Sequence, residues 1–347
     1  MNANFYFVRT PLQYLNAVEA RQTKKFSQSA QHLIILSDFH RTISQIEAII
    51  HPNLWTSISY PWKEFVSKKN LPIFNLFYII NRKLEIDKIL LTIENKDFIF
   101  WGNINSNWFF YLFNKKKSNF YILDDGFASI DFIHNSDVQA IKSSLLSSKL
   151  GKIERIVLRL NYKINWERIH FFTNFDLQQS SKNLELHSYE YLSTQFKIGT
   201  LSKIVYFVGQ PLVFQKMMSK ENYIKLINTI FNYYNSQNYI CYYLPHRSTT
   251  LDYIPKNWLT KSFNKPLECI LFDEQIEKPI IFASFYSSAL YNIAIMDKNL
   301  IFKYDYWQFD ESYLINFPMN KILNVYNFVK NLSNKNNRFL NTSNINE

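Results

Sequence analysis

Apolar and polar positions along the chain fall into alternating blocks. Asn4 to Arg9 (NFYFVR) is a short β-rich run stopped by Thr10-Pro11, after which positions 12, 15, 18 and 19 recur at helical spacing. That is strand, turn, helix. The unit repeats: strand His32 to Leu36, helix Thr42 to Ile50, strand Trp55 to Tyr60, and a helix over much of Phe74 to Glu94. Strand Asp97 to Trp101 (DFIFW) then leads into Gly102-Asn103, Trp108 to Phe113 reads helical, and strand Asn119 to Leu123 (NFYIL) runs into Asp124-Asp125-Gly126. A basic helical region, Val138 to Leu160, precedes strand Arg168 to Phe172 and a polar stretch from Asp176 to Ser193.

A second series opens with Lys203 to Val208 (KIVYFV), stopped by Gly209-Gln210-Pro211. It continues through helix Glu221 to Asn235 and strands at Ile240 to Leu244, Leu267 to Phe272, Ile280 to Ala283 and Leu300 to Tyr304. Strands alternating with helices predict parallel sheets covered on both faces, the doubly wound α/β architecture. The expected organisation is therefore two such domains, 1–190 and 200–330. A polar tail, 331–347, is expected to fray, and the helix over Lys321 to Val329 is a candidate to return to the first domain. Open α/β sheets bind ligands at the carboxyl ends of their strands, so chemistry is expected there, in a cleft between the domains.

Composition changes this picture little. The 347 residues, 47% of them hydrophobic, suffice for two cores, and 31 Phe and 23 Tyr against five Gly argue against disorder. Cys241 and Cys269 are too few and too far apart for a disulfide framework or a zinc site. Residues 1–16 carry Arg9, Pro11 and Gln13 within their apolar stretch, unlike a secretory signal, and no stretch is long enough to span a bilayer without charges. A cytoplasmic protein is expected. The formal net charge of +11 calls for an anionic partner: nucleic acid, a membrane or a nucleotide-sugar. Basic clusters lie at Lys115 to Lys117 and Lys149 to Arg159, but no nucleic-acid-binding signature accompanies them, and no nucleic acid is expected as partner.

Four places at strand ends have residue types suited to catalysis. Asp124-Asp125-Gly126 pairs two carboxylates whose repulsion and burial raise pKa, which suits a general base, although such a triplet also serves as a turn or cap. Pro245-His246-Arg247 puts an imidazole beside a guanidinium, a phosphate grip with a proton to donate, or an ordinary loop histidine. Ser287-Ser288 opens a helical stretch, where hydroxyls and backbone N–H groups bind phosphate or simply cap the helix. Glu268 interrupts the apolar strand-like segment PLECIL and can accept from a ribose diol or mark a strand edge. Walker-A, Gly-x-Gly-x-x-Gly, His-Glu-x-x-His and Asp-x-Asp patterns are all missing, so neither a cofactor nor a metal is expected.

In order and spacing, Asp124-Asp125-Gly126, Pro245-His246-Arg247 and Ser287-Ser288 resemble the three motifs of bacterial sialyltransferases. The segments FYFVRTPLQYLNA and YFVGQPL look like those of glycosyltransferase family 52, which includes lipooligosaccharide sialyltransferases. The resemblance spans roughly Phe5 to Tyr304 and implies a GT-B-type fold, two Rossmann-like domains facing a central cleft. It further implies an inverting, metal-independent transfer of sialic acid from CMP-sialic acid to a terminal galactoside of a bacterial surface glycan. Carried over residue by residue, Asp125 is the general base with Asp124 its neighbour, and His246 contacts or protonates the CMP phosphate. Arg247, Ser287, Ser288 and Gly209 hold CMP, and Glu268 binds its ribose. One departure is visible: the family order is His-Pro, whereas here Pro245 precedes His246.

Acceptor contacts are expected from first-domain loops such as Gly102 to Asn107. Peripheral association with the inner membrane and a homodimer are both compatible with this reading. Two alternatives remain: a hexosyltransferase of the same fold using another nucleotide-sugar, and a non-catalytic basic protein binding membrane or nucleic acid.

Overall fold

The computed structural model describes residues 3–37, 39–61, 72–91, 98–115, 118–127, 129, 130, 133, 138–176, 183–246, 254–315, 317–330 and 336–345. The chain divides into two compact units, Met1–Leu192 and Ser193–Glu347.

The first unit is built on seven strands: β1 (Ala3–Val8), β2 (Ala30–Ile35), β3 (Ser57–Ser59), β4 (Phe98–Gly102), β5 (Phe120–Leu123), β6 (Ile169–Thr173) and β7 (Asn183–Leu186). All pair in parallel, in the order β3-β2-β1-β4-β5-β6-β7. Its helices are α1 (Pro11–Gln22), α2 (His40–Glu47), α3 (Pro72–Leu91), α4 (Asn107–Lys115), α5 (Val138–Leu146) and α6 (Lys149–Val157), and the short α7 (Glu190–Thr194) begins in it and ends in the second. The strand order runs outward from β1 in one direction and from β4 in the other. Right-handed crossovers therefore place the helices of the two halves on opposite faces, and a topological switch point falls between β1 and β4.

An aromatic stack crosses this sheet. Trp101 on β4 is fully buried, lies 5.2 Å from the Tyr6 ring on β1 and 4.4 Å from Tyr121 on β5, and donates its indole N–H to Asn4 Oδ1. Period-two placement puts these rings on one face, where registered neighbours meet directly.

The second unit has six parallel strands, β8 (Leu201–Val208), β9 (Ile240–Leu244), β10 (Leu259–Thr260), β11 (Lys278–Ser284), β12 (Lys303–Gln308) and β13 (Asn337–Asn341), with α8 (Lys220–Asn235), α9 (Ser288–Met296) and α10 (Met319–Lys330). The order β10-β9-β8-β11-β12-β13 puts a second switch point between β8 and β11. Both units are thus doubly wound and Rossmann-like, the α/β architecture the pattern predicts and the GT-B-type composition the resemblance implies.

Four expectations need correction. The polar tail does not simply fray: Asn337–Asn341 extends the sheet as β13, because Arg338 reaches the buried Asp305 on β12 with two charge-assisted hydrogen bonds of 2.7 and 2.6 Å, while Phe339 stacks on Tyr306. The helix α10 belongs to the second unit, where Ile322 and Tyr326 join its core and the Tyr326 hydroxyl donates to the Trp307 carbonyl. Leu267–Phe272 is a 3-10 helix rather than a strand; the Cys269 N–H closes onto the Pro266 carbonyl, and a short buried apolar run fits either form. Strand β12 begins at Lys303, not Leu300, because the Asp297 carboxylate takes the N–H groups of Ile301 and Phe302 and holds them out of the ladder. Among the described residues no helix is long and apolar enough to cross a membrane.

Candidate active site

At the first switch point the chain leaves β1 through Arg9 and Thr10 and leaves β4 through Asn103, and both turns point toward the aspartates that follow β5. Thr10 is the N-cap of α1: its hydroxyl oxygen accepts from the Gln13 N–H at 3.2 Å, and Pro11 occupies the first helical turn, where no N–H is needed. The buried Gln13 side chain in turn accepts from the Arg9 N–H at 2.8 Å. With its oxygen fixed in this way, Thr10 donates its proton to Asp125 Oδ1 at 3.0 Å. Asn103 is fixed likewise. Its Oδ1 accepts from the Asn105 N–H at 2.6 Å, and its amide donates to Asp125 Oδ2 at 3.3 Å. Arg9 Nη1 donates to the Asn105 carbonyl, which ties the two loops together.

The two aspartates occupy opposite environments. Asp124 is buried; its carboxylate accepts from the Asn174 N–H at 3.1 Å and its carbonyl from the Asn16 amide at 3.1 Å. Burial pushes its pKa up to about 7, with the charge of Asp125 adding to the rise and hydrogen bonds from Thr173, Asn174 and Ser129 opposing it. Asp125 is exposed, and its backbone N–H donates to Ser129 Oγ at 2.9 Å. Gly126 follows at φ 77°, the left-handed region where a Cβ is penalised, and lets the chain turn away at once. Asp125 therefore presents an exposed carboxylate whose two oxygens both accept hydrogen bonds from side chains of the first unit. This geometry suits proton abstraction, and the raised pKa of Asp124 lessens the charge that opposes Asp125 near neutral pH.

At the second switch point, Ser284 Oγ donates to the Val208 carbonyl at 2.8 Å, and Gln210 Oε1 accepts the Tyr286 N–H at 3.2 Å, so the loops after β8 and β11 are joined. Ser287 is the N-cap of α9, its hydroxyl accepting from the Ala289 N–H at 3.3 Å, and Ser288 is the first helical residue; both are half-buried. The first turn of α9 provides N–H groups and the positive end of the helix dipole. Glu268 is buried and its Oε1 accepts from the Asn292 amide at 3.1 Å, one turn along α9 from Ser288; burial raises its pKa.

His246 stands just past the end of β9. Pro245, which has no N–H to donate, ends the ladder before it, and His246 is half-buried. Arg247 lies outside the described residues. Gly209 has a packing reason: a Cβ there would fall 2.2 Å from the Tyr243 hydroxyl, which is buried and hydrogen-bonded to Tyr223 at 2.7 Å.

The structure thus gathers Asp124 and Asp125 in the first unit, and Gly209, Glu268, Ser287 and Ser288 around the carboxyl ends of β8 and β11 and one helix in the second, with His246 just past the end of the adjacent strand β9. Thr10 was not singled out from the sequence, and Asn103 entered only within the loop Gly102 to Asn107 expected to contact the acceptor. The Thr10-Pro11 pair read as helix punctuation, and only the parallel register of β1, β4 and β5 shows that the punctuation lies beside Asp125. Among the described residues, no group of three or more His, Cys, Asp or Glu side chains is placed to hold a metal ion.

The profile of glycosyltransferase family 52 matches residues 62–301, a span that includes Asn103, Asp124, Asp125, Gly209, His246, Glu268, Ser287 and Ser288 but not Arg9, Thr10, Gln13 or Asn16. No curated protein matches the chain in sequence. Solved structures similar to it include UDP-GlcNAc 2-epimerase of Methanocaldococcus jannaschii, at 11% identity over 97% of this chain and 95% of that one, with a TM-score of 0.45. A sialyltransferase GT-B domain from Photobacterium damselae is similar at 12% identity over 98% and 100%, with a TM-score of 0.42. ADP-heptose LPS heptosyltransferase II of E. coli is similar at 10% identity over 95% and 98%, with a TM-score of 0.36. None of these likenesses bears on the assignment, which rests on the family match. With more than half of its length inside that match, the chain belongs to glycosyltransferase family 52 and is a glycosyltransferase.

Proposed function

We propose that the chain transfers sialic acid from CMP-sialic acid to a hydroxyl of a terminal galactoside on a bacterial surface glycan, lipooligosaccharide or a similar acceptor. The observation that carries this reading is Asp125: an exposed carboxylate at a switch point, gripped on both oxygens by Thr10 and Asn103 and backed by a buried aspartate.

In this reading Asp125 accepts the proton of the acceptor hydroxyl as its oxygen forms a bond to the anomeric carbon of the sialyl group. The bond from that carbon to the CMP phosphate breaks through an oxocarbenium-like state, and CMP departs with the electron pair. A single displacement inverts the anomeric configuration. The departing phosphate is met by His246 and Arg247 and by the N-terminal turn of α9 with Ser287 and Ser288, so protein donors supply the charge compensation and no metal or other cofactor is required. Glu268 binds the ribose, with Asn292 setting its orientation. The substrates are then a nucleotide-sugar donor and a glycan acceptor.

Donor screening in the presence of a chelator tests this. Turnover of CMP-sialic acid with a galactoside acceptor in EDTA is the expected result; turnover of UDP-glucose with none of CMP-sialic acid, or complete dependence on added divalent metal, would reject it.

A further inference from the structure

The basic segment Lys149 to Arg159 has no part in the site just described. It forms α6 and the turn that follows, and its exposed residues are Lys149, Lys152, Arg155, Ile156 and Arg159. The spacing of three, six and seven residues places Lys149, Lys152, Arg155 and Ile156 on one helical face, and Arg159 follows in the turn beyond the helix end, at φ 51°. The opposite side is anchored: Glu154 is buried and accepts from the Trp108 indole at 3.0 Å and the Asn107 amide at 2.8 Å. The inward carboxylate therefore does not neutralise the outward cations. Among the described residues, none of Lys152, Arg155 and Arg159 forms an ion pair.

Around this face lies an open groove of about 550 Å³ lined by Leu146, Lys152, Arg155, Ile156, Arg159 and Leu160. Three cations and three aliphatic side chains line it together, and Ile156 stands 75% exposed. A stranded isoleucine is costly in water but is stabilised where an anionic surface meets hydrocarbon. Nucleic acid would satisfy the cations but not the aliphatic wall.

We propose that this groove docks the chain on a membrane, with a lipid phosphate held by Lys152, Arg155 and Arg159 and Ile156 inserted at the headgroup–acyl boundary. The site is independent of the donor sugar. It would hold the enzyme where lipid-linked acceptors are displayed.

Sedimentation of the full chain with vesicles tests this. Binding to phosphatidylcholine vesicles containing phosphatidylglycerol, but not to phosphatidylcholine alone, is expected. The combined variant Lys152→Gln, Arg155→Gln, Arg159→Gln should bind about 100-fold more weakly, at about fivefold per cation. The Ile156→Ser variant should bind about tenfold more weakly with its salt dependence unchanged. Unchanged melting temperature and unchanged transfer to a soluble acceptor would show that neither change disturbs the fold. Four outcomes would overturn the proposal: equal binding to both vesicle types, undiminished binding by the triple variant, saturable binding of glycerol phosphate without vesicle binding, or binding to an oligonucleotide but not to vesicles.

Discussion

Thr10 Oγ1 donates to Asp125 Oδ1 across 3.0 Å, although 115 residues separate them in the chain. The contact exists because β1 and β5 flank β4 in one parallel sheet, which brings the turn after the first strand beside the turn after the fifth. A helix cap and a carboxylate ligand are here one hydroxyl.

That double use predicts a split between two substitutions. Thr10→Ser keeps both hydrogen bonds and should leave turnover within about twofold. Thr10→Val removes the cap and frees Asp125 Oδ1, costing about 1 kcal/mol of stability and lowering kcat by about tenfold or more. Thermal melts and steady-state kinetics on the two variants check this.

Asp124 predicts a pH dependence of folding. Burial raises its pKa from the ordinary carboxylate range to about 7, so between about pH 4 and pH 7 the folded chain keeps a proton that the unfolded chain has released. The contribution of this group to stability is therefore greatest below pH 4 and is lost as the pH rises through 7, up to about 4 kcal/mol in all. Asp124→Asn, which cannot ionise, should show a smaller loss of stability between pH 4 and pH 7 than the parent chain in urea titrations. An identical slope would contradict the assignment.

The bond between Arg338 and Asp305 predicts that the C-terminal segment is needed for folding of the second unit. Asp305 is fully buried and also accepts from the Tyr234 hydroxyl at 2.6 Å, so Arg338→Ala leaves a buried carboxylate without its cation. A destabilisation of about 3 kcal/mol is expected, and removal of residues 336–347 should cost at least as much. Denaturant unfolding of the variant and of the shortened chain measures both.

Gly209→Ala should destabilise the second unit whatever its effect on nucleotide binding, because the added methyl meets the Tyr243 ring and its bond to Tyr223. A lowered melting temperature that Tyr243→Phe does not restore, since the ring carbons 2.4 and 2.8 Å from the new Cβ remain, would support this; no change in melting temperature on Gly209→Ala alone would contradict it.

The succession of strands and helices was legible because parallel strands buried on both faces are near-continuous apolar runs and the helices between them are periodic. Where the pattern failed, a hydrogen bond or ion pair outside the regular ladder had intervened. Asp297 delays β12, Pro266 closes a 3-10 turn around Glu268, and Arg338 recruits a polar tail into the sheet by meeting a charge 33 residues earlier, which no local window reveals. Of the first cluster, the aspartates were visible because two adjacent carboxylates at a strand end are chemically conspicuous. Thr10 and Asn103 were not visible as partners of the base, because a threonine before proline and an asparagine after glycine are ordinary turn residues until the sheet order sets them beside Asp125.

The most direct measurement compares Asp125→Asn with the parent chain in two assays, transfer from CMP-sialic acid and calorimetric binding of CMP. Loss of transfer by about a thousandfold or more, with CMP affinity and melting temperature unchanged, is the expected result. Transfer that survives the substitution within about tenfold would contradict the role of Asp125 as the base.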